Sequence, residues 1–451
     1  MIKKIVSCLI AAVMFLGVSA CGPSPSPDEE IREVNLYPDK GTVAEISILI
    51  PGGNSNERTM VEALIEDFNM EYPNVSIEYN YISVSNYEST IRNLASSGTL
   101  DDIVWSNSPD FYYLVDKKLV YDLNPYVEAS KEAGIFDLQE DFFHEFFGMG
   151  SLGGKLYCVP RSADTVITFI NTEIFNNAGV DMSLVKNGWT WDTFLSVCEQ
   201  IRTYFDNNGM ADRYVLDANL DVWLAVCYPM LRSYGAEVID ENGNVAIDSA
   251  ATRECVAMVR EMVRKRYIVD SQMASGSSYE AGTSAMLFQS SSVSHYAERL
   301  ALKGKVDVVS FPLIDIKNTP KIGCGIAGYC ISKTTKHPDI CWAFLNYMIS
   351  YDGQQKMALN GLNLASVRKD LSDPTVANWG KEYPTLNMAA YLFGSEYKID
   401  TSFLSRIDSS MKTGVSTAVQ DMFHSATNST KDLEKAVRDC YNQILDELED
   451  Y

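Results

Sequence analysis

The sequence is poor in the residues that most enzymes use for catalysis and metal binding. It has four histidines, and none of them stands in an HExxH or similar metal-ligand spacing. No GxSxG motif supports a serine nucleophile. The ten cysteines include no CxxC pair, which argues against zinc-ribbon and thioredoxin-like sites. We therefore expect neither a metal site nor a cofactor.

Positive charge is scarce as well. Lys and Arg number 37 against 60 Asp and Glu, and the net charge is −23 at pH 7. Such an acidic surface disfavours nucleic acids and anionic lipids as partners, because it repels phosphate groups. Beyond the N-terminus, the sequence has no apolar run long enough to cross a bilayer. We expect a monomer that is soluble apart from any N-terminal anchor.

Two weak signals for catalysis are present. Gly148-x-Gly150-x-x-Gly153 matches the GxGxxG pattern, but it follows a helix-like segment and precedes a strand. This order is the reverse of a dinucleotide-binding site, so we interpret the motif as a loop. A pair of carboxylates for glycoside hydrolysis stays open, because 60 acidic residues make proximity in sequence uninformative.

The N-terminus has the layout of an export signal. Two lysines precede an apolar run over residues 5–18, which is too short for a comfortable transmembrane span. The run closes on Val18-Ser19-Ala20-Cys21, which looks like a bacterial lipobox. We predict a signal peptide at residues 1–20 and a diacylglyceryl anchor on Cys21, since two acyl chains suffice for stable anchoring. An ordinary signal peptide with an incidental cysteine is the alternative.

The segment after Cys21 differs from the rest of the chain. Residues 21–43 are rich in Pro, Ser and acidic residues and cannot bury a core, so we predict a disordered tether. The chain from residue 44 onward exceeds the size at which one core usually keeps growing. Two lobes are therefore expected.

Eight cysteines lie beyond the anchor. Cys198, Cys255 and Cys440 fall on apolar helix faces, which favours buried free thiols. Disulfides stay possible in an exported protein, and sequence alone cannot pair them. The eight are Cys158, Cys198, Cys227, Cys255, Cys324, Cys330, Cys341 and Cys440.

Strands alternate with helices in the first part of the domain. Asn54 and Glu57 are placed to form a capping box at the start of the first helix. The alternation predicts a parallel sheet, and ligands bind at the carboxyl ends of such strands. Strands are predicted at residues 44–50, 75–81 and 102–105, and later in the chain at 155–160, 166–170, 306–311 and 328–332.

Aromatic residues make up 11% of the sequence, and 25 of them are Tyr. A sugar presents apolar C–H faces edged with hydroxyl groups, so its site needs aromatic platforms beside short polar side chains. Any single Trp or Tyr can equally belong to the core. Segments with the required mixture are residues 105–110, 161–164, 223–228 and 289–292.

An ordered set of motifs resembles the extracellular solute-binding proteins of ABC importers, in particular the carbohydrate-binding family with the maltose-type receptors. The resemblance covers nearly all of the chain after the tether. Its motifs are Phe68-Asn69-x-x-Tyr72-Pro73, Asp102-Ile103-Val104, Gly154-Lys155-Leu156-Tyr157-x-Val159-Pro160, Trp189-Thr190-Trp191-Asp192-x-Phe194, Phe311-Pro312-Leu313 and His337-Pro338-Asp339. The ligand-facing positions differ from those of the maltose receptor.

The resemblance implies a two-lobed α/β fold of the type II periplasmic-binding-protein class, with the ligand cleft between the lobes. Lobe 1 would comprise residues 44–160 and 311–362, and lobe 2 residues 161–310 and 363–451. Crossing segments are expected near Pro160-Arg161, near Phe311-Pro312 and at residues 360–365.

The resemblance also implies which residues contact the ligand. Stacking platforms would be Trp105 and either Trp223 or Tyr228. Hydroxyl groups would be bound by Asn107, Asp110, Arg161 and Asp164. Further cleft positions are Asn54, Ser291, Ser292 and Gly325.

The function implied by the resemblance is capture and delivery, not catalysis. A lipid-anchored receptor on the extracytoplasmic face of the bacterial membrane would bind a mono- or oligosaccharide and hand it to an ABC permease. Two alternatives stay open. One is a surface lipoprotein that hydrolyses glycans, and the other is a receptor for a non-sugar solute, including a signalling co-receptor.

Overall fold

The computed structural model describes most of the chain from Glu33 onward. The predicted signal peptide, Cys21, Asn54 and Trp223 lie outside the described residues. Residues 35–451 form one compact unit. The described residues are 33–52, 55–83, 87–218, 224, 226–268, 277–314, 319–361, 364–399, 403, 407–408, 410–428 and 430–449.

The predicted tether is shorter than expected at its C-terminal end. The Asn35 N–H donates to Asp339 Oδ1 at 3.4 Å, and Lys40 forms an exposed ion pair with Glu71 at 2.9 Å. Pro38 is buried. Residues 35–43 therefore pack on the domain, because their polar groups find partners there despite the low apolar content.

The strands of the described chain form one mixed sheet and a small separate hairpin. The hairpin consists of β4 and β5. The strands are β1 (Ala44–Gly52), β2 (Val75–Ser83), β3 (Ile103–Asn107), β4 (Ser151–Leu152), β5 (Lys155–Leu156), β6 (Cys158–Asn171), β7 (Leu216–Ala218), β8 (Met286–Ser290), β9 (Val306–Ser310), β10 (Ile322–Ile331) and β11 (Lys398–Ile399).

Helices cover the sheet and supply the connections between strands. The α-helices are α1 (Ser55–Glu71), α2 (Tyr87–Ser97), α3 (Ser108–Asp116), α4 (Asn124–Glu132), α5 (Leu138–Asp141), α6 (His144–Met149), α7 (Thr172–Asn177), α8 (Trp191–Asn207), α9 (Cys227–Tyr234), α10 (Ala250–Arg264), α11 (Ser277–Glu280), α12 (Pro338–Ile349), α13 (Tyr351–Leu359), α14 (Lys412–Thr427) and α15 (Leu433–Glu449). Short 3₁₀ helices span Ser291–Glu298, Lys369–Leu371, Met388–Tyr391 and Ser395–Tyr397.

The sheet is parallel on one side and antiparallel in the middle. Its order is β2-β1-β3-β10-β6-β8-β7, with β11 on β10 and β9 on β6. Strand β1 pairs in parallel with β2 and β3, as the alternation of strands and helices predicted. Strand β10 runs antiparallel to both β3 and β6. The carboxyl ends of β1, β2 and β3 therefore lie at the same end of the sheet.

Strand β6 is the longest strand described and changes partners along its length. Its residues from Cys158 to Thr165 pair with β10, and those from Val166 to Asn171 pair with β8 and β9. The sequence predicted two strands here, interrupted at residues 161–165. The prediction was wrong because polar side chains in this segment are buried and bonded, so the strand continues through them.

Helix ends and cysteines follow the local sequence signals. Thr190 accepts a hydrogen bond from the Thr193 N–H and caps α8, and Ser249 accepts one from the Thr252 N–H and caps α10. The eight cysteines beyond Cys21 are buried free thiols, as predicted. Cys158 and Cys330 are directly opposed on β6 and β10. The hydrogen bond to Cys330, together with burial, raises the pKa of Cys158.

Candidate functional site

A β-bulge interrupts the pairing of β6 with β10. Ser162 is paired with Ala327 and Pro160 with Gly328, so Arg161 is the extra residue on β6. A bulge bends its strand and redirects a side chain, and such bulges are frequent beside functional sites. The bulge therefore sets the direction of the Arg161 side chain.

Arg161 is held in a buried ion pair with Glu57 of α1. Its Nε donates to Glu57 Oε1 at 3.1 Å, and its Nη2 donates to Glu57 Oε2 at 2.6 Å. Its Nη1 donates to Ser162 Oγ at 2.8 Å. The Tyr329 hydroxyl on β10 donates to Glu57 Oε1 at 2.8 Å. This cluster, Glu57–Arg161–Tyr329, satisfies its charges internally, as buried ions require.

The cluster corrects two expectations. Glu57 was predicted to complete a capping box with Asn54, but its carboxylate instead receives Arg161 and Tyr329. Arg161 was expected to bind ligand hydroxyl groups, but three of its nitrogens already donate within the protein. Burial raises the pKa of Tyr329 well above its usual range, and the Glu57 charge adds to the effect. The cluster fixes α1 against β6 and β10.

A second polar cluster surrounds Asp164, three residues further along β6. Ser290 Oγ lies 2.6 Å from each Asp164 carboxylate oxygen and donates to the carboxylate. Ser291 Oγ donates to Asp164 Oδ1 at 3.0 Å, and the Ser292 N–H donates to it at 3.2 Å. The Thr165 N–H donates to Ser291 Oγ at 3.2 Å. The structure thus brings together three residues that the sequence placed in the cleft.

Gly325 of β10 lies directly opposite Asp164. A methyl group added at Gly325 would meet no atom of another described residue within 4 Å, so this position borders open space. Along β10, β3 pairs from Ala327 onward and β11 pairs at Ile322 and Gly323. Gly325 lies in the interval between these two strands, beside the half-buried Asp164.

Trp105 and Asn107 are at the carboxyl end of β3. The Trp105 backbone is in register with Tyr329, which joins this position to the Glu57–Arg161–Tyr329 cluster. The Tyr87 ring meets the half-buried indole edge-on at a centroid distance of 5.1 Å. The indole Nε1 is buried and has no hydrogen-bond acceptor among the described residues. Asn107 is half-buried, and Asp110 lies in the first part of α3.

An unmade bond of a buried donor costs about 1–3 kcal/mol. The Trp105 Nε1 is therefore an uncompensated donor among the described residues. The half-buried ring, and not the buried Nε1, is the part of Trp105 that could contact a ligand.

Tyr228 does not lie at this site. It is fully buried in α9, its ring centroid is 5.1 Å from that of Phe403, and its hydroxyl donates to Glu237 Oε1 at 3.1 Å. The prediction of a stacking platform was wrong, because α9 buries most of its residues and turns this ring into the core. Trp223, the other candidate, lies outside the described residues, as does Asn54.

Sequence reasoning missed residues whose partners are far away in the chain. Glu57 and Tyr329 were not assigned to the site, although both determine how Arg161 is held.

Lys398 of β11 was missed as well. Its Nζ is buried and donates to the Tyr391 carbonyl at 2.6 Å. Burial lowers the pKa of Lys398, and the Asp164 carboxylate is among the charges that oppose this shift.

Within the described residues, no three His, Cys, Asp or Glu side chains are grouped so that they could hold a metal ion. No helix in this part of the chain combines the length and the apolar content that a membrane crossing needs.

Two curated proteins are similar to the chain over long segments. An arabinooligosaccharide-binding protein of Bacillus subtilis is 20% identical over 371 residues, which cover 79% of this chain and 78% of that protein. A protein of the same description from Halalkalibacterium halodurans is 22% identical over 270 residues. These cover 57% of this chain, and the chain spans just over half, 56%, of that relative.

Solved structures share the fold at low sequence identity. A cyclic α-maltosyl-1,6-maltose binding protein from Arthrobacter globiformis has a TM-score of 0.75 at 15% identity and covers 91% of this chain and all of its own. UgpB from Mycobacterium tuberculosis, in complex with glycerophosphocholine, has a TM-score of 0.71 at 14% identity, covering 90% of this chain and 98% of its own. The predicted type II binding-protein fold is confirmed.

The profile of one protein family matches residues 63–387, well over half of the chain. The description of that family is bacterial extracellular solute-binding protein, which places the chain outside the cytoplasm. The resemblance seen in the sequence motifs is therefore confirmed at the level of the family. The chain belongs to the bacterial extracellular solute-binding proteins.

Proposed function

We propose that the protein binds a neutral mono- or oligosaccharide in a cleft between two lobes and delivers it to the permease of an ABC importer. The observation that carries the proposal is the Asp164 cluster. A carboxylate fixed by Ser290, Ser291 and Ser292 borders open space at Gly325. Carboxylates and hydroxyls together accept from and donate to sugar hydroxyl groups.

The charges of the site favour a neutral ligand. The positive charge of Arg161 is neutralised by Glu57, and the hydrogen bonds described for the Asp164 oxygens come from hydroxyl and backbone N–H donors. The other cation that acts on Asp164 is Lys398, whose pKa is lowered by burial. An anionic ligand would meet the negative Asp164 without a free guanidinium beside it. The curated relatives, both described as arabinooligosaccharide-binding proteins, agree with this preference.

The division into lobes is part of the proposal. The two groups of strands that share β6 support it, because β6 changes from β10 to β8 and β9 after Thr165. An antiparallel bridge between Ala163 of β6 and Ala365 supports a crossing near the end of the expected segment. We assign residues 44–160 and 311–362 to lobe 1, and residues 161–310 and 363–451 to lobe 2. Ligand would then favour the closed arrangement of the lobes.

Membrane attachment through Cys21 belongs to the same proposal. The lipobox-like tetrad Val18-Ser19-Ala20-Cys21 supports a diacylglyceryl anchor on the extracytoplasmic face. Cys21→Ser should move the protein from the membrane fraction to the soluble fraction of cells. Retention of the variant in the membrane fraction would contradict the anchor and leave the binding proposal unaffected.

We infer that the protein is a receptor and not a glycan hydrolase. A hydrolase needs two carboxylates placed on either side of the scissile bond. One of the carboxylates at the site, that of Glu57, is buried in its ion pair with Arg161. Unchanged arabinooligosaccharide and maltooligosaccharide after prolonged incubation with the protein is the expected result.

A thermal-melt panel tests the class of solute. The panel contains arabinooligosaccharides, maltooligosaccharides, glycerophosphocholine, a peptide mixture and polyamines. A saccharide present at about 100 times its Kd should add about 2.7 kcal/mol of stability. Stabilisation by another class alone would overturn the carbohydrate assignment and keep the receptor assignment.

A further inference from the structure

An aromatic side chain stands at the outer edge of the sheet, away from the Asp164 cluster. Tyr81 is near the carboxyl end of β2, the end strand of the described sheet order, and is 45% exposed. It is in register with Ile50 of β1. Because the carboxyl ends of parallel strands lie at the same end of the sheet, Tyr81 lies at the same end as Trp105 of β3.

The Tyr81 ring is held by its neighbours. The Tyr79 ring meets it edge-on at a centroid distance of 5.4 Å, and the Arg58 guanidinium carbon lies 6.0 Å from its centroid. Arg58 Nε donates to Glu62 Oε1 at 2.8 Å, and the Tyr79 hydroxyl donates to the same oxygen. An exposed ring fixed in this way loses little side-chain entropy when a ligand stacks on it.

Tyr79 and Glu62 have complementary protonation states. The hydrogen bond to Glu62 raises the pKa of Tyr79 to about 12, and the bond from Tyr79, with that from Arg58, lowers the pKa of Glu62. At neutral pH, the phenol therefore stays a donor and the carboxylate an acceptor. The four side chains provide one aromatic platform with a guanidinium and a carboxylate beside it.

Helix α1 connects this aromatic surface to the centre of the site. Arg58 directly follows Glu57, whose carboxylate binds Arg161 on the bulge of β6. The first turn of α1 therefore carries Glu57 on its buried side and Arg58 toward Tyr81. A ligand that extends from Asp164 along this edge would meet Arg58 and Tyr81.

Protection of the sheet edge is a simpler role for these residues. Edge strands often carry bulky or charged side chains that prevent pairing with other chains. That role needs neither a fixed ring nor a guanidinium placed over it. An aromatic face combined with hydrogen-bonding charged groups is the chemistry that binds a sugar ring.

We propose that Tyr81 and Arg58 form an accessory subsite that stacks one sugar unit of an oligosaccharide whose other units occupy the Asp164 cluster. The inference rests on the proposed function and deepens it. It makes the preferred ligand an oligosaccharide and not a monosaccharide. Four strand spacings of about 4.8 Å separate β2 from β6 in the sheet order, so a disaccharide at the Asp164 cluster would be too short to reach Tyr81.

Titration calorimetry with short and long arabinooligosaccharides and maltooligosaccharides tests the subsite. Tyr81→Ala should weaken binding of pentasaccharides and hexasaccharides about tenfold, as expected for loss of one aromatic contact, and leave disaccharide binding unchanged. Tyr81→Phe keeps the stacking face and should keep the affinity of the wild type. The matched control is Tyr351→Ala, because Tyr351 is 44% exposed on α13 and should have no effect on either ligand.

The possible outcomes separate the subsite from the proposed function. If the wild type binds long saccharides and Tyr81→Ala binds them equally well, the subsite is wrong and the receptor proposal survives. An equal loss for short and long ligands also contradicts the subsite, because it indicates a general effect on the site. If the wild type binds no saccharide of any length, both proposals fail together.

Discussion

Arg161 and Asp164 lie three residues apart on β6, one buried and the other half-buried. Arg161 donates to Glu57 and Ser162 through three nitrogens, and the Tyr329 hydroxyl also donates to the Glu57 carboxylate. Asp164 is fixed by serines on one side and faces Gly325 across the ladder, where the chain leaves open space. Both side chains were expected to bind ligand hydroxyl groups.

The difference shows that a charged residue near a cleft can serve the fold instead of the ligand. Removing a charge from water is costly unless a partner compensates it, so a buried cation selects a carboxylate partner first. A half-buried carboxylate keeps part of its hydrogen-bonding capacity for a solute. We therefore assign stability to the Glu57–Arg161–Tyr329 cluster and binding to the Asp164 cluster.

The largest expected effect concerns stability at the buried cluster. Glu57→Gln leaves the buried Arg161 without a counter-charge, and breaking such a pair typically costs about 3–5 kcal/mol. Urea denaturation should show a loss at the lower end of this range, because the amide keeps part of the hydrogen bonding.

Glu62→Gln is the matched control on the same helix. Glu62 also accepts from an arginine and a tyrosine, Arg58 and Tyr79, but its ion pair is exposed. Exposed pairs contribute only about 0–1 kcal/mol, so this variant should stay close to the wild type. Equal losses in the two variants would remove the distinction between a buried and an exposed cluster.

Two glycines of β10 extend the comparison. An added methyl group at Gly328 would lie 2.3 Å from the Val159 carbonyl oxygen and 2.8 Å from Cys158 Sγ, whereas one at Gly325 has open space. Gly328→Ala should cost about 1–3 kcal/mol through overpacking. Gly325→Ala should change the free energy of unfolding by less than about 0.5 kcal/mol and weaken saccharide binding. Reversed stabilities in urea would contradict the placement of the cleft beside Gly325.

A smaller effect is expected at Lys412, a cation that is only partly compensated. Its Nζ lies 4.4 Å from the centre of the Tyr112 ring, and burial lowers its pKa from 10.5 to about 8, against the opposing charges of Asp116 and Asp408. Between these two values, the unfolded chain binds more protons at this site than the folded protein, so stability should rise with pH.

The difference between wild type and Lys412→Met isolates this contribution from other titrating groups. Urea midpoints measured at several values between pH 8 and pH 10.5 should rise more steeply for the wild type than for the variant. Parallel curves would show that the charge of Lys412 is already satisfied in the folded protein, as that of Arg161 is.

Features that depend on the local sequence were predicted correctly. The parallel arrangement of β1, β2 and β3 follows from alternating strand and helix patterns. Thr190 and Ser249, which cap their helices, belong to the residue types that favour this position. Family resemblance, not local pattern, placed Asp164, Ser291 and Ser292 together.

Contacts between distant residues were beyond prediction from the sequence. Glu57 fits a capping box locally, but its partners Arg161 and Tyr329 are 104 and 272 positions away. Tyr228 has an aromatic ring of the kind that stacks on sugars, yet the packing of α9 turns this ring into the core. A single sequence contains no information on such pairings, because many acidic residues could serve each buried cation.

The central claim is that the Asp164 cluster binds the saccharide. Titration calorimetry of wild type and Asp164→Asn, with the saccharide that stabilises the wild type most, tests it directly. Asp373→Asn is the control, since Asp373 is a carboxylate bonded by the hydroxyl and N–H of Thr375 away from the site. Loss of hydrogen bonds to a charged group predicts at least about tenfold weaker binding for Asp164→Asn and no change for the control. Equal Kd values for all three proteins would contradict the claim.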